Sequence, residues 1–208
     1  MRAGGRAVIW LVRHGQTEMN REGRLQGTID SPLTPLGLEQ AALVGRWFAS
    51  HAHDPARWTI STSPLGRARR TAEIIAAAAG LEGRLAVDPR LVELSIGSWE
   101  GKARPELEAL RPDLAGQPFF MRCPGGEAWE AASARIGGWL EAWAEHDDHD
   151  VIAVSHAGAG KVLRALYLGL SLDEARRLDT PQDAVFRLHG GRIERFDCAP
   201  LPSPIAER

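Results

Sequence analysis

Two short apolar runs, each closing on a histidine, constrain this chain more than any other feature. Val8-Ile9-Trp10-Leu11-Val12 leads into Arg13-His14-Gly15, and Val151-Ile152-Ala153-Val154 leads into Ser155-His156-Ala157-Gly158. A run that is apolar at successive positions is apolar on both faces, the pattern of a strand buried inside a parallel sheet. In open α/β sheets the working crevice lies beyond the carboxyl ends of the strands. Two such strands bring both imidazoles to one rim.

The rest of the chain supplies alternating elements. Thr34 and Pro35 start a helix whose apolar face is Leu36, Ala41, Leu43, Val44 and Trp47. A short strand over 58–62 ends in Ser63-Pro64, and a helix over 65–79 stops at Gly80. "LAVDPRLVEL" is extended in character, although Pro89 interrupts any central strand. A short helix is expected near 105–111, a long one over 127–145 with Ile136, Trp139, Leu140 and Trp143 on one stripe, and two more over 158–168 and 172–178. "AVFRLHGGRIERF" reads as a hairpin turning at Gly190-Gly191. Strands alternating with helices predict an α/β fold, a three-layer α/β/α sandwich with a mostly parallel central sheet. Residues 97–127, rich in Gly and Pro, read as a small cap above that sheet. The whole of 1–208 reads as a single domain, with a flexible tail over 198–208.

Chemistry-bearing residues gather at the predicted rim. Arg67 falls in the first turn of the helix after the second strand, and Glu93 ends an extended segment. Two imidazoles, at least two guanidiniums and a carboxylate then converge. Metal-free phosphoryl transfer needs such a set. Guanidinium forks neutralise the charge on the equatorial oxygens. A neutral imidazole attacks phosphorus, and a carboxyl group protonates the leaving alkoxide and later accepts a proton from water. Gly15, having no side chain, would let backbone N–H groups approach the anion.

In chain order, "LVRHGQTEMN", "SPLTPLGLEQA", "STSPLGRARRTAE", "LVELSIGSWEG", "PGGE" and "VSHAG" match landmarks of the histidine phosphatase superfamily. The chain resembles its phosphoglycerate mutase-like branch over roughly 7–195. That resemblance implies His14 as a nucleophile that becomes phosphohistidine, Arg13 and Arg67 as phosphoryl clamps, His156 completing the pocket, and Glu93 as general acid/base. It also implies Asn20, Gln26, Gly27 and the backbone N–H of Ala157 on the phosphate and substrate side. The stretch after His156, Ala157-Gly158-Ala159-Gly160, departs from the family's usual pair of glycines. Met19 and Ile96 stand where the family often has aromatics.

The implied reaction is hydrolysis of a small phosphate monoester, with no cofactor and no metal. A phosphoglycerate mutase-type transferase is the runner-up, and a non-catalytic phospho-ligand binding module is the alternative outside enzymology. Net charge is −2, which argues against a general nucleic-acid binder. No stretch is long and apolar enough for a membrane span. "MRAGGRA" lacks the features of a signal peptide, and two distant cysteines form no disulfide framework, so a cytoplasmic setting is expected. Whether the chain pairs as a homodimer is not legible.

Other motifs carry less. "GAGK" at 158–161 lacks the flanking Gly and Ser/Thr of a nucleotide-binding loop, and Lys161 reads as a solvated helix residue. His51 with His53, and His146 with His149 beside Asp147, Asp148 and Asp150, read as solvated turns. Arg69 and Arg70 are turned away from Arg67 onto the surface. Glu127 reads equally as a substrate contact or a fastener of the cap, and Trp99 as a pocket wall or as packing.

Overall fold

The computed structural model describes residues 7–51, 54–114, 123–144, 146 and 149–198. Of the sequence features above, His53, Asp147, Asp148, part of the cap and the tail beyond Cys198 lie outside them. Strand β1 (Ile9–Arg13) is buried on both sides: Ile9 and Leu11 enter one core, Trp10 and Val12 the other. With β2 (Trp58–Thr62), β3 (Leu85–Val87), β4 (Asp150–Ser155), β5 (Ala184–His189) and β6 (Arg192–Asp197) it forms a six-stranded sheet of order β3-β2-β4-β1-β5-β6. Pairings β1–β4, β4–β2 and β2–β3 are parallel; β1–β5 and β5–β6 are antiparallel. The sheet is therefore mixed and mostly parallel, as the alternation of elements implied. Gly190 and Gly191 turn the β5–β6 hairpin with φ of 58° and 74°, as a two-residue type I′ turn requires.

Helices cover both faces. On one, Val44 and Phe48 from α2 (Pro35–Ala49) and Ile75 from α3 (Gly66–Ala79) pack on Trp10, Val12, Ile60 and Ile152. On the other, Ile136 and Trp139 from α5 (Trp129–Ala144) and Val162 and Leu163 from α6 (Ala157–Leu168) pack on Ile9, Leu11, Val151 and Ala153. Trp139 is fully buried and places its indole N–H 3.1 Å from Ser61 Oγ, the partner a buried indole requires. Thr34 caps α2 by accepting from the Gly37 N–H, with Pro35 in the first turn, as read from the sequence.

Two short helices, α1 (Glu18–Arg21) and α7 (Leu172–Arg176), lie in connections. The stretch around Pro89 is strand for three residues only. Asp88 then caps a tight turn, Pro89–Leu91, that carries the chain to Glu93. Above the carboxyl edge, Trp99 and Leu107 of α4 (Arg104–Leu110) make a small separate core with Leu25, Ile96 and Cys123. Trp99 is thus packing within the cap. Among the described residues no helix is long and apolar enough to cross a membrane.

Candidate active site

Register alone brings the two histidines together. Arg13 of β1 pairs with Ser155 of β4 in parallel, and the His14 N–H continues the ladder to the Ser155 carbonyl at 3.0 Å. Each strand then releases its histidine at the same edge. The two rings lie with centroids 5.1 Å apart, and both residues are almost fully buried. The His14 Nδ1 lies 2.8 Å from the carbonyl of Gly15. A carbonyl only accepts, so Nδ1 carries the proton and Nε2 keeps its lone pair. The Arg67 Nε–H donates to that Nε2 at 3.3 Å. His156 Nε2 lies 2.7 Å from Ser63 Oγ at the end of β2, while its Nδ1 is buried and bonded to nothing among the described residues.

Arg67 is fastened from three sides. Its Nη1 donates to the Ile29 carbonyl at 2.8 Å and approaches Asp30 Oδ1 at 3.4 Å; its Nη2 donates to the Gly27 carbonyl at 2.8 Å. Asp30 also accepts from the N–H groups of Gly66 and Arg67, so one carboxylate caps α3 and steadies the guanidinium. Arg13 donates to the Thr180 carbonyl at 2.6 Å, leaving its buried Nε without a partner among the described residues. Glu93 accepts from the N–H groups of Leu94 and Ala159 through Oε1 and of Gly158 through Oε2, which seats it against the first turn of α6.

A cavity of about 210 Å³ opens over this group. Its wall contains His14, Arg13, Arg67, Glu93, Asn20, Gln26, Gly27 and Ala157, all named from the sequence. His156 alone of the predicted set lies outside the wall, buried beside His14. Asn20 Oδ1 accepts from the Thr17 N–H and from Gln182 Nε2. Gln26 donates to Thr17 Oγ1 and leaves its buried Oε1 unpaired among the described residues.

The role expected of Gly15 is corrected. Its N–H is engaged, donating to Thr71 Oγ1 at 3.1 Å, and Gly15 is not part of the cavity wall. The missing side chain serves packing instead: a methyl there would collide with the main chain of Gly37, and one on Gly37 would collide with Gln16. The β1 loop and the start of α2 touch backbone to backbone. Lys161 is also corrected: it is half-buried, and its Nζ donates to the Arg176 carbonyl. Glu127 lines the cavity, and Arg135 of α5 grips both its oxygens at 2.7 and 2.8 Å. Arg69 and Arg70 are exposed.

Sequence reasoning missed Asp30, Ser63, Thr71, Gln182 and Arg24. The first four act through contacts across the fold, with no local pattern to mark them. Arg24 carried only one signal, its place between two residues already named, four beyond Asn20 and two before Gln26.

Burial, then the nearby Arg13 and Arg67 cations, push the His14 pKa well below the ordinary imidazole value; burial, then His14, Arg67 and Arg13, do the same to His156. Burial also pulls Arg13 down to about 10, against the pull of Glu93 and with the push of Arg67. Both imidazoles are therefore neutral in the folded protein at neutral pH. Folded pKa values below the unfolded value of ~6.5 mean that the unfolded chain takes up protons first as pH falls. Stability present above pH ~6.5 is lost below it, by up to about 1.4 kcal/mol per pH unit for each histidine. Urea unfolding should show the pair removing about 2–3 kcal/mol between pH 7.5 and 5.5. A His156→Gln variant should lose about half as much over the same interval.

Fold and site define a phosphoryl-transfer scaffold built on paired histidines, and the chain belongs to the histidine phosphatase superfamily (branch 1), whose family model matches residues 9–194. A Shigella boydii protein named "Probable phosphoglycerate mutase GpmB" is 39% identical over 194 residues, covering 91% of this chain and 84% of that one. Among solved structures, a mycobacterial glucosyl-3-phosphoglycerate phosphatase complexed with VO3 superposes with a TM-score of 0.74 at 27% identity, over 92% of this chain and 97% of its own. The α-ribazole phosphatase of Shigella flexneri gives 0.71 at 25% identity, over 86% and 89%.

Proposed function

We propose that this chain is a phosphomonoesterase that hydrolyses a small phosphate ester through a phosphohistidine, without a metal ion. One observation carries the reading: a neutral His14 aims its Nε2 lone pair along an arginine, 5.1 Å from a second neutral imidazole, in a cavity that also holds a carboxyl group. A relative of this fold was solved with VO3, a group of the size and charge that such a pocket suits.

The steps balance as follows. The ester phosphate enters between Arg13 and Arg67, whose guanidiniums spread its charge. Arg67 transfers its Nε–H from His14 Nε2 to a phosphate oxygen, which frees the lone pair. His14 Nε2 forms the N–P bond as the P–O bond to the alcohol breaks, and the Glu93 carboxyl group gives the departing oxygen its proton. The Gly15 carbonyl holds the Nδ1 proton throughout and stabilises the positive charge that the ring gains. A water then gives its proton to Glu93 while its oxygen attacks phosphorus. The N–P bond breaks, and phosphate and neutral His14 return. His156, buried beside His14, would donate from Nδ1 to a phosphoryl oxygen, in the tautomer whose Nε2 accepts from the Ser63 hydroxyl. Asn20, Gln26, Gly27 and the Ala157 N–H line the substrate side.

A second reading is favoured by the relatives named as phosphoglycerate mutases: the phosphoryl group passes to another hydroxyl of the substrate. Hydrolysis is supported by the small number of residues between 97 and 127, against the longer insertion that mutases of this branch generally carry. A phosphate-release assay on 3-phosphoglycerate, run beside a coupled isomerisation assay, separates the two. Release of phosphate with isomerisation at less than about a tenth of its rate is expected, and the reverse ratio would establish the mutase.

A further inference from the structure

The connection between α7 and β5 touches the site at three points, although none of its residues lines the cavity. Arg13 Nη1 donates to the Thr180 carbonyl at 2.6 Å. Gln182 Nε2 donates both to the His14 carbonyl and to Asn20 Oδ1, at 3.1 Å each. Register puts the connection there. Strand β5 runs antiparallel to β1 with Val12 opposite Val185, so the residues just before β5 lie beside those just after β1. The connection is itself anchored. Arg164 of α6, buried with its guanidinium 4.1 Å over the Phe186 ring, donates to Asp179 Oδ1 at 3.1 Å and also to the Asp179 carbonyl. Arg195 holds Oδ2 of the same carboxylate at 2.6 Å.

Gln182 does more than fasten. A side-chain amide can turn end for end at little steric cost, and its two ends have opposite hydrogen-bonding character. Here main-chain groups decide both turns. The Thr17 N–H can only donate, so the atom 3.2 Å from it is the Asn20 oxygen. The His14 carbonyl can only accept, so the atom facing it is the Gln182 nitrogen. That nitrogen carries two protons; one goes to His14 and the other to the Asn20 oxygen. With its oxygen engaged twice, Asn20 meets the cavity through its NH₂, a donor. The ionised oxygens of a phosphoryl group only accept, so this is the end they need. Turned over, Asn20 would set a carbonyl oxygen against an anion.

We infer that Gln182 is a positioning residue for phosphoryl transfer: its amide presents the Asn20 NH₂ to the phosphoryl oxygens and steadies the main chain of the nucleophile, His14. This rests on the phosphatase reading and concerns how that same site is kept aligned. Arg13 and Arg67 bind the charge of the ester with or without Gln182. Its loss should therefore fall on kcat more than on KM.

Two variants test this. Gln182→Met keeps the length of the side chain and removes both donors. Gln182→Glu keeps the shape and sets a carboxylate against two oxygens; should it not fold, Gln182→Met alone carries the test. With 4-nitrophenyl phosphate, steady-state phosphate release should show kcat falling about 10- to 100-fold in Gln182→Met and further in Gln182→Glu, with KM changed less than about threefold. A double-mutant cycle with Asn20→Ala gives a readout that a merely structural role would not move. Removing Gln182 should lower kcat/KM at least about threefold less when Asn20 is already gone. Losses that simply multiply would overturn the inference and make Gln182 a fastener of its connection. A kcat held at the wild-type value, or a loss confined to KM, would overturn it too. A wild-type protein that releases phosphate from neither 4-nitrophenyl phosphate nor 3-phosphoglycerate would instead bring down the phosphatase reading, and this inference with it.

Discussion

Replacing His14 with alanine is expected to lower phosphate release by at least ~10⁴-fold, on the scale of removing a nucleophile from other covalent catalysts. The buried ring is the group whose lone pair Arg67 holds. His156 lies 5.1 Å away, but its Nε2 is occupied by Ser63, and it does not line the cavity. The residual activity would come from the guanidiniums alone. A quench of the wild-type protein during turnover of a ³²P-labelled ester should trap label that acid releases and base does not, as a phosphoramidate behaves. The His14→Ala protein should trap none. Label surviving in that variant would refute the proposed chemistry, whatever the fall in rate. Thermal unfolding of the variant serves as the control, since removing a buried ring also leaves a void of the kind that costs a few kcal/mol.

Glu93→Gln should come next in size, with a fall of about 10²- to 10⁴-fold on alkyl phosphates. The distinctive result is its dependence on the leaving group. 4-Nitrophenolate departs without a proton, so formation of the phosphohistidine from 4-nitrophenyl phosphate should be nearly spared. Hydrolysis of the intermediate still needs a base for water, and Glu93 is the carboxyl group in the cavity that is not held by an arginine. Stopped-flow absorbance should therefore show a burst of 4-nitrophenolate close to one per site, then a slow phase. A uniform loss on alkyl and aryl esters, with no burst, would remove Glu93 from the proton-transfer role. Glutamine keeps an acceptor for the amides of Leu94 and Ala159 but opposes its own NH₂ to the Gly158 N–H, so a stability loss of about 1–2 kcal/mol should accompany it.

Much of this architecture was legible because the decisive signals are local. Ile9-Trp10-Leu11-Val12 and Val151-Ile152-Ala153-Val154 reveal buried strands on their own, and the parallel register that follows from them brings His14 to His156. Thr34-Pro35 marks a helix start through groups within three residues. The antiparallel attachment of β5 beside β1 was not legible as such: a hairpin can be read from Gly190-Gly191, but not which strand it joins. The support of the site was illegible for the same reason. Asp30 reaches Arg67 across 37 positions, Ser63 reaches His156 across 93, and Gln182 reaches the His14 carbonyl across 168. Gly15 shows the limit most plainly. A glycine beside a nucleophile suggests an approach to the ligand, whereas its reason lies in Gly37, a residue that becomes its neighbour only once α2 has folded against β1.

That last contact has a practical corollary for anyone engineering the protein. Where two main chains abut with no intervening side chain, there is no soft tissue to absorb a change, and a single added carbon on either must be answered by sliding a whole segment. The segment that would slide carries His14. In-line attack tolerates displacements well under an ångström, whereas a core can often accommodate them. Turnover is consequently the finer gauge of damage at this seam, and libraries screened by melting temperature alone would let crippled variants through.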